Sequence, residues 1–321
     1  MNNFKKNVMA VNGLISVEKL GHCQCHEHIF IEKGKSFDMN PALCIDDYKM
    51  TVDELNNYKE MGGSTLVDAQ PVGCGRMTEY LIKASEETGV NIISSTGFHK
   101  LQYYPRNHWI YNIEQSKFTE LLLNEIVIGM YIKNIEPFNG MRTSAKAGII
   151  KIAIESGNFS SIYKKILLSA ADAANQTGIT IMCHTDKGRG ALEVIKLLMA
   201  NGVSPESIII CHLDRRSDNF KFHQKVAETG VYLDYDTIGR FKYHSDEEEI
   251  KLISKMIDRG YEDKLLISLD TTRERLKSYG SNIGLDYILA KFIPALKKYG
   301  INNDIINKIT RKNPAEALTR R

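Results

Sequence analysis

Four of the nine histidines close short apolar runs. His26 and His28 end the run HCQCHEHIF, His184 ends TIMCH, and His212 ends SIIICH. A carboxylate, Asp270, ends LLISLD in the same way. Imidazole and carboxylate are the ligands that divalent transition metals prefer. His26 and His28 are two residues apart, so strand alternation turns both rings to one side. One such histidine has a plain structural reading, as a hydrogen-bonded residue at a strand end. Five donors placed alike are hard to explain that way and point to a metal centre.

Lys151 stands inside GIIKIA, an otherwise apolar run. A buried lysine is costly and needs a chemical reason. Two are available. It could form a Schiff base with a carbonyl substrate, as in barrel aldolases. Alternatively, CO₂ could carboxylate its amine to an anionic carbamate between two metals, which the surrounding histidines favour.

These residues require a scaffold that gathers strand ends. Eight apolar runs read as strands: 22–30, 64–69, 91–97, 148–153, 180–184, 207–212, 231–235 and 264–270. Most are continuous hydrophobics, as suits strands buried on both faces of a parallel sheet. Helical patterns alternate with them, over 51–61, 78–88, 116–126, 160–177, 190–201, 219–229 and 245–259, with further helix near 285–299 and 304–312. Eight strand–helix repeats predict an α/β fold, a (β/α)₈ TIM barrel over residues 1–321, with its site at the carboxyl ends of the strands. An open doubly wound sheet would want a Gly-rich loop after the first strand, where HEHIFIEKG stands instead.

The donor set and its order along the barrel resemble the amidohydrolase superfamily, and its phosphotriesterase-like branch in particular. CHEHIF, AGIIKIA, IMCHT, IICHLD, LLISLD and the closing NPAEAL carry the resemblance over nearly the whole chain. It implies a binuclear metal-dependent hydrolase in which His26, His28 and Asp270 hold the more buried metal. It implies that His184 and His212 hold the more exposed one, and that carboxylated Lys151 and a hydroxide bridge the two. Zn is the first choice of metal, with Mn, Co or Fe as alternatives. Asp270 is the expected general base. Glu27, on the opposite strand face, is expected to be structural. Cys183 and Cys211 are expected to point away from the metals and pack.

Substrate choice falls to the loops. TGFHKLQYYPRNHWI, after the third run, resembles that of phosphotriesterase-related lactonases and offers His99 and Tyr104, with Tyr103, His108 and Trp109 beside them. The loops after the seventh and eighth runs are basic, with Arg240, Lys242, Arg273 and Arg275. Such loops often bind phosphate in barrels, although solvated loop charge is the plainer reading. The expected activity is opening of a small, phosphorylated sugar lactone. The alternative is a phosphotriesterase, and the outsiders are a Schiff-base aldolase using Lys151 or a non-catalytic metal-binding protein.

The net charge of +3 argues against a general nucleic-acid surface. No run approaches the roughly 20 apolar residues that span a bilayer. The six cysteines read as reduced, packed thiols. A cytoplasmic enzyme acting on a small molecule, without membrane or nucleic-acid partners, is expected, and a homodimer is allowed for.

Overall fold

A computed structural model describes residues 6–132 and 140–321. An antiparallel hairpin, β1 (Asn7–Ala10) and β2 (Gly13–Ser16), precedes the barrel. It escaped the sequence reading, although Asn12-Gly13 between two apolar stretches is a hairpin signal. Eight parallel strands follow: β3 (His22–Glu27), β4 (Gly63–Asp68), β5 (Asn91–Gly97), β6 (Ile149–Ala153), β7 (Ile181–His184), β8 (Ile208–Cys211), β9 (Tyr232–Tyr235) and β10 (Leu265–Ile267). They pair in chain order from β3 to β10, with helices between them, as the alternating pattern predicts. The fold is a (β/α)₈ barrel.

Each expected strand forms, but four of the eight, β3, β4, β8 and β10, are shorter at the carboxyl end. His28, His212 and Asp270 therefore lie just past the last ladder residue. This is where backbone leaves the sheet and side chains can converge. Most helices start and stop near their expected bounds. The helix Asp246–Asp258, for example, starts at a capping box in which Ser245 and Glu248 bond each other's backbone.

The barrel interior is packed by residues that alternate along the strands, among them Cys23, Cys25, Val67, Ile93, Ile149, Met182, Ile209, Cys211 and Leu266. A second, larger apolar layer lies between strands and helices. Cys183 packs in that outer layer. Cys211 instead joins the interior, contrary to the expectation from its place beside His212. The reason is local. His212 adopts a φ of 65°, so strand alternation ends there and Cys211 keeps the inward position.

β3 and β10 close the barrel through side chains. Ser268 Oγ accepts the consecutive amides of Cys25 and His26, at 3.0 and 3.1 Å. The β3–β4 register shifts between Gln24 and Glu27. This is bulge behaviour, and a bulge re-aims the side chains that follow it. Glu27 accepts the amides of Leu269 at 2.8 Å and Thr271 at 3.2 Å. The seam that carries His26, His28 and Asp270 is thus clasped by a buried carboxylate and a hydroxyl.

Candidate metal centre

The most constrained group at the strand ends is Asp236, just past β9. Its Oδ2 lies 2.9 Å from His26 Nδ1 and 3.1 Å from the His212 amide, and its Oδ1 lies 2.6 Å from His212 Nδ1. Two ring nitrogens and one amide converge on it, which holds its carboxyl well below the usual range despite burial. A carboxylate only accepts, so both Nδ1 atoms carry the proton. Both Nε2 atoms then present bare lone pairs toward the centre, the arrangement a ligating histidine needs. The sequence reading missed Asp236. The signal was there: in YLDYD, alternation places Asp234 and Asp236 on one face.

The lone pairs meet the other expected donors. His212 Nε2 lies 2.7 Å from His184 Nδ1. Asp270 Oδ1 lies 3.6 Å from His26 Nε2 and 3.4 Å from His28 Nε2. Lys151 Nζ lies 2.9 Å from His26 Nε2 and 3.5 Å from Met182 Sδ. The structure brings together all six residues singled out as metal ligands. Lys151 is fully buried. It pairs across the sheet with Gly97, whose φ of 109° and lack of Cβ let β5 lie against the Lys151 carbonyl; a Cβ at Gly97 would overlap that oxygen.

Burial sets the charge states. It lowers His26 to about 4, helped by Lys151, and His212 to about 3, helped by Arg215. Burial also lowers His184, together with its neighbour His212. These rings are neutral at pH 7, as ligation requires. Burial pushes the Asp270 carboxyl up, but Arg240 and His212 outweigh it and hold it well below the usual range.

Arg240 is joined at this carboxylate by a second arginine. Arg215 and Arg240 reach Asp270 Oδ2 at 2.6 and 2.9 Å, and Arg240 also donates to the Asp270 carbonyl. Asp270 has a φ of 50°, a conformation that costs a non-glycine residue on the order of 1–3 kcal/mol. Charge-assisted hydrogen bonds at about 1.5–3 kcal/mol each offset it. The two carboxylate oxygens are thus divided, Oδ2 to the guanidiniums and Oδ1 to the histidines.

Above the donors opens a cavity of about 410 Å³, floored by His28, His184 and Asp270 and walled by His99, Lys100, Tyr103, Arg215, Arg240, Phe241 and Lys242. Of the expected substrate residues, His99, Arg240, Lys242 and Arg275 line it. Arg275 turns its guanidinium to the carbonyls of Leu269, Asp270 and Ile238, so it ties loops together. Arg273 is not brought to the cavity. It stacks on Tyr279 and lies 3.6 Å from Asp46. Tyr104 is buried behind the wall, where its hydroxyl accepts from the His99 amide and donates to the Val72 carbonyl. Lys100 and Arg215 are wall residues that the sequence reading did not single out. Each stands next to a residue that was named or quoted, in GFHK and HLDR.

The donor set fits a divalent metal ion. Donor atoms of His26, His212 and Asp270 lie within 4.8 Å of one another. His212 Nε2 and His184 Nδ1 face each other with at most one proton between them. His28 Nδ1 and His184 Nε2 are buried without a hydrogen-bond partner among the described residues. A family model described as the phosphotriesterase family matches residues 6–318. The chain belongs to this family. It is therefore a hydrolase, and a metal-dependent one. It is 32% identical to a phospho-furanose lactonase of Mycoplasmopsis synoviae over 99% of this chain and 92% of the relative. Among solved structures, an amidohydrolase from Mycoplasma synoviae superposes with a TM-score of 0.94 at 31% identity, covering 99% of this chain and 93% of that one. A lactonase from Listeria monocytogenes gives a TM-score of 0.88 at 28% identity, over 98% and 99% of the two chains. Among the described residues, no helix is long and apolar enough to cross a membrane.

Proposed function

We propose that the chain is a binuclear metal-dependent lactonase that opens a small, phosphorylated sugar lactone. The observation that carries this reading is the division of the cavity. Imidazoles and Asp270 form its floor, and four cations, Lys100, Arg215, Arg240 and Lys242, stand around its wall. Arg215 and Arg240 are engaged by Asp270, whereas Lys100 and Lys242 have no such part in cleaving an ester and suit the grip of a remote phosphate. The phospho-furanose lactonase relative supports the same substrate class. A neutral, apolar phosphotriester finds less support in a wall of His99, Lys100 and arginine.

His26, His28 and Asp270 would hold one ion, His184 and His212 the other, with carboxylated Lys151 between them. When bound, such a pair lowers the pKa of a shared water and polarises the lactone carbonyl. Asp236 keeps the two Nε2 lone pairs in place. Asp270 accepts the proton of the attacking water and returns it to the ring oxygen as the acyl C–O bond breaks. Its basicity is set by Arg215 and Arg240. Lys151 sits below the floor, outside the cavity lining, which supports a bridging role over a Schiff base. The six cysteines are buried and unpaired, which supports a reducing, cytoplasmic location.

The test separates the cations by partner. Lys242 touches no carboxylate among the described contacts and lies 5.2 Å from the Tyr243 ring. Arg240 is committed to Asp270. A charge-assisted hydrogen bond of about 1.5–3 kcal/mol corresponds to about one to two orders of magnitude in rate. Lys242→Ala should lower kcat/KM by that amount for a phosphorylated lactone and spare the neutral lactone of the same ring. Arg240→Ala should lower both. A Lys242→Ala variant with equal losses on the two lactones removes the phosphate-gripping role.

A further inference from the structure

A second cluster of metal-type donors lies apart from the centre described above. Asp214, His244 and Glu249 each offer a ligand atom, and these atoms lie within 4.8 Å of one another. All three residues are buried, and none lines the cavity. Asp214 follows β8, while His244 and Glu249 come from the loop after β9 and the first turn of the helix Asp246–Asp258. The sequence reading gave them no role, and the proposed mechanism uses none of them.

Their hydrogen bonding is incomplete in a specific way. Asp214 Oδ2 accepts the Thr237 amide at 2.6 Å, but its Oδ1 has no partner among the described residues. Glu249 Oε1 has none either, nor has the Thr237 hydroxyl. His244 Nδ1 faces the Ser245 carbonyl at 3.1 Å and so carries its proton. His244 Nε2 pairs with Glu249 Oε2 at 3.0 Å. Buried carboxylate oxygens left without a hydrogen bond are costly. A proton satisfies a buried oxygen only where a hydrogen-bond partner is aligned with it, and Asp214 Oδ1 and Glu249 Oε1 have none among the described residues. A cation needs no such alignment, because it takes a lone pair from each donor.

We propose that Asp214, His244 and Glu249 form a separate site for one divalent cation. Two carboxylates balance its charge, and the imidazole selects Zn²⁺ or Mn²⁺ over Ca²⁺. The ion ties the loop after β8 to the loop after β9. These loops carry Arg215 and Arg240, the two residues that hold Asp270. Its task is structural, and its loss loosens that clamp.

The test uses purified full-length protein loaded with Zn²⁺ and desalted, with bound metal counted by mass spectrometry. Glu249→Gln and His244→Ala should each hold about one equivalent of metal per chain fewer than the unsubstituted protein. His184→Ala should keep the equivalent that Glu249→Gln removes, so a failure here is distinct from a failure of the lactonase centre. Anomalous diffraction from the unsubstituted protein should place a zinc among the three residues, whether or not the variants fold. Unchanged metal content in the folded variants, or no anomalous peak at this cluster, overturns the proposal.

Discussion

Lys151→Ala is expected to reduce lactone hydrolysis by about three orders of magnitude or more, the loss of several kcal/mol of transition-state stabilisation. Lys151 is fully buried, and its nitrogen lies 2.9 Å from the bare Nε2 of His26. Two cations held by four neutral imidazoles and one carboxylate would repel each other across the barrel axis. A carbamate on Lys151 would supply the anion between them. Removing the side chain removes that anion and leaves a void in its place. Bound metal should fall together with kcat/KM. Acetate, a short carboxylate that fits the void, should restore part of both, which a merely structural lysine would not allow. Full activity in Lys151→Ala would show that the lysine serves the barrel alone.

Asp236→Ala should be nearly as damaging, although Asp236 is not itself among the expected ligands. It orients two of them. Losing a carboxylate behind a ligating histidine typically costs about 10–100-fold in metal affinity. Here one carboxylate stands behind both His26 and His212. It also accepts the His212 amide at a residue whose φ of 65° is strained by on the order of 1–3 kcal/mol. Without Asp236, His212 loses both its tautomer and its backbone anchor. Chelator competition should show weaker binding of the metals, with activity restored only by excess metal. Unchanged metal affinity in the folded variant would mean that the histidines are held by other groups.

The barrel was legible in the sequence because burial on both faces of a parallel strand leaves a plain record. Runs such as IIIC and LLIS have few other readings. The six candidate donors stood out because each interrupts or ends such a run, and the structure brings them together. Apolar patterning reports where a side chain is buried, however, and not which polar group it meets. Asp236 stood one residue beyond the seventh run as read, so the carboxylate behind His26 and His212 passed as loop. The clasp of the Cys25 and His26 amides was hidden because their acceptor, Ser268, lies more than two hundred residues away in sequence. Arg240 was visible as a cation at the cavity mouth. That its guanidinium is committed to Asp270 follows from the meeting of two loops, and no spacing within either loop encodes it. Tyr104 and Arg273 illustrate the same limit: loop composition marked them, and the loop's path turned them to other partners.

The binuclear centre itself is tested most directly by anomalous diffraction from crystals of the metal-loaded protein. The account predicts two metal peaks among His26, His28, Lys151, His184, His212 and Asp270, with carbamate density on the Lys151 nitrogen. A metal-loaded, active enzyme with a bare Lys151 amine, or with no metal among these six residues, would contradict it.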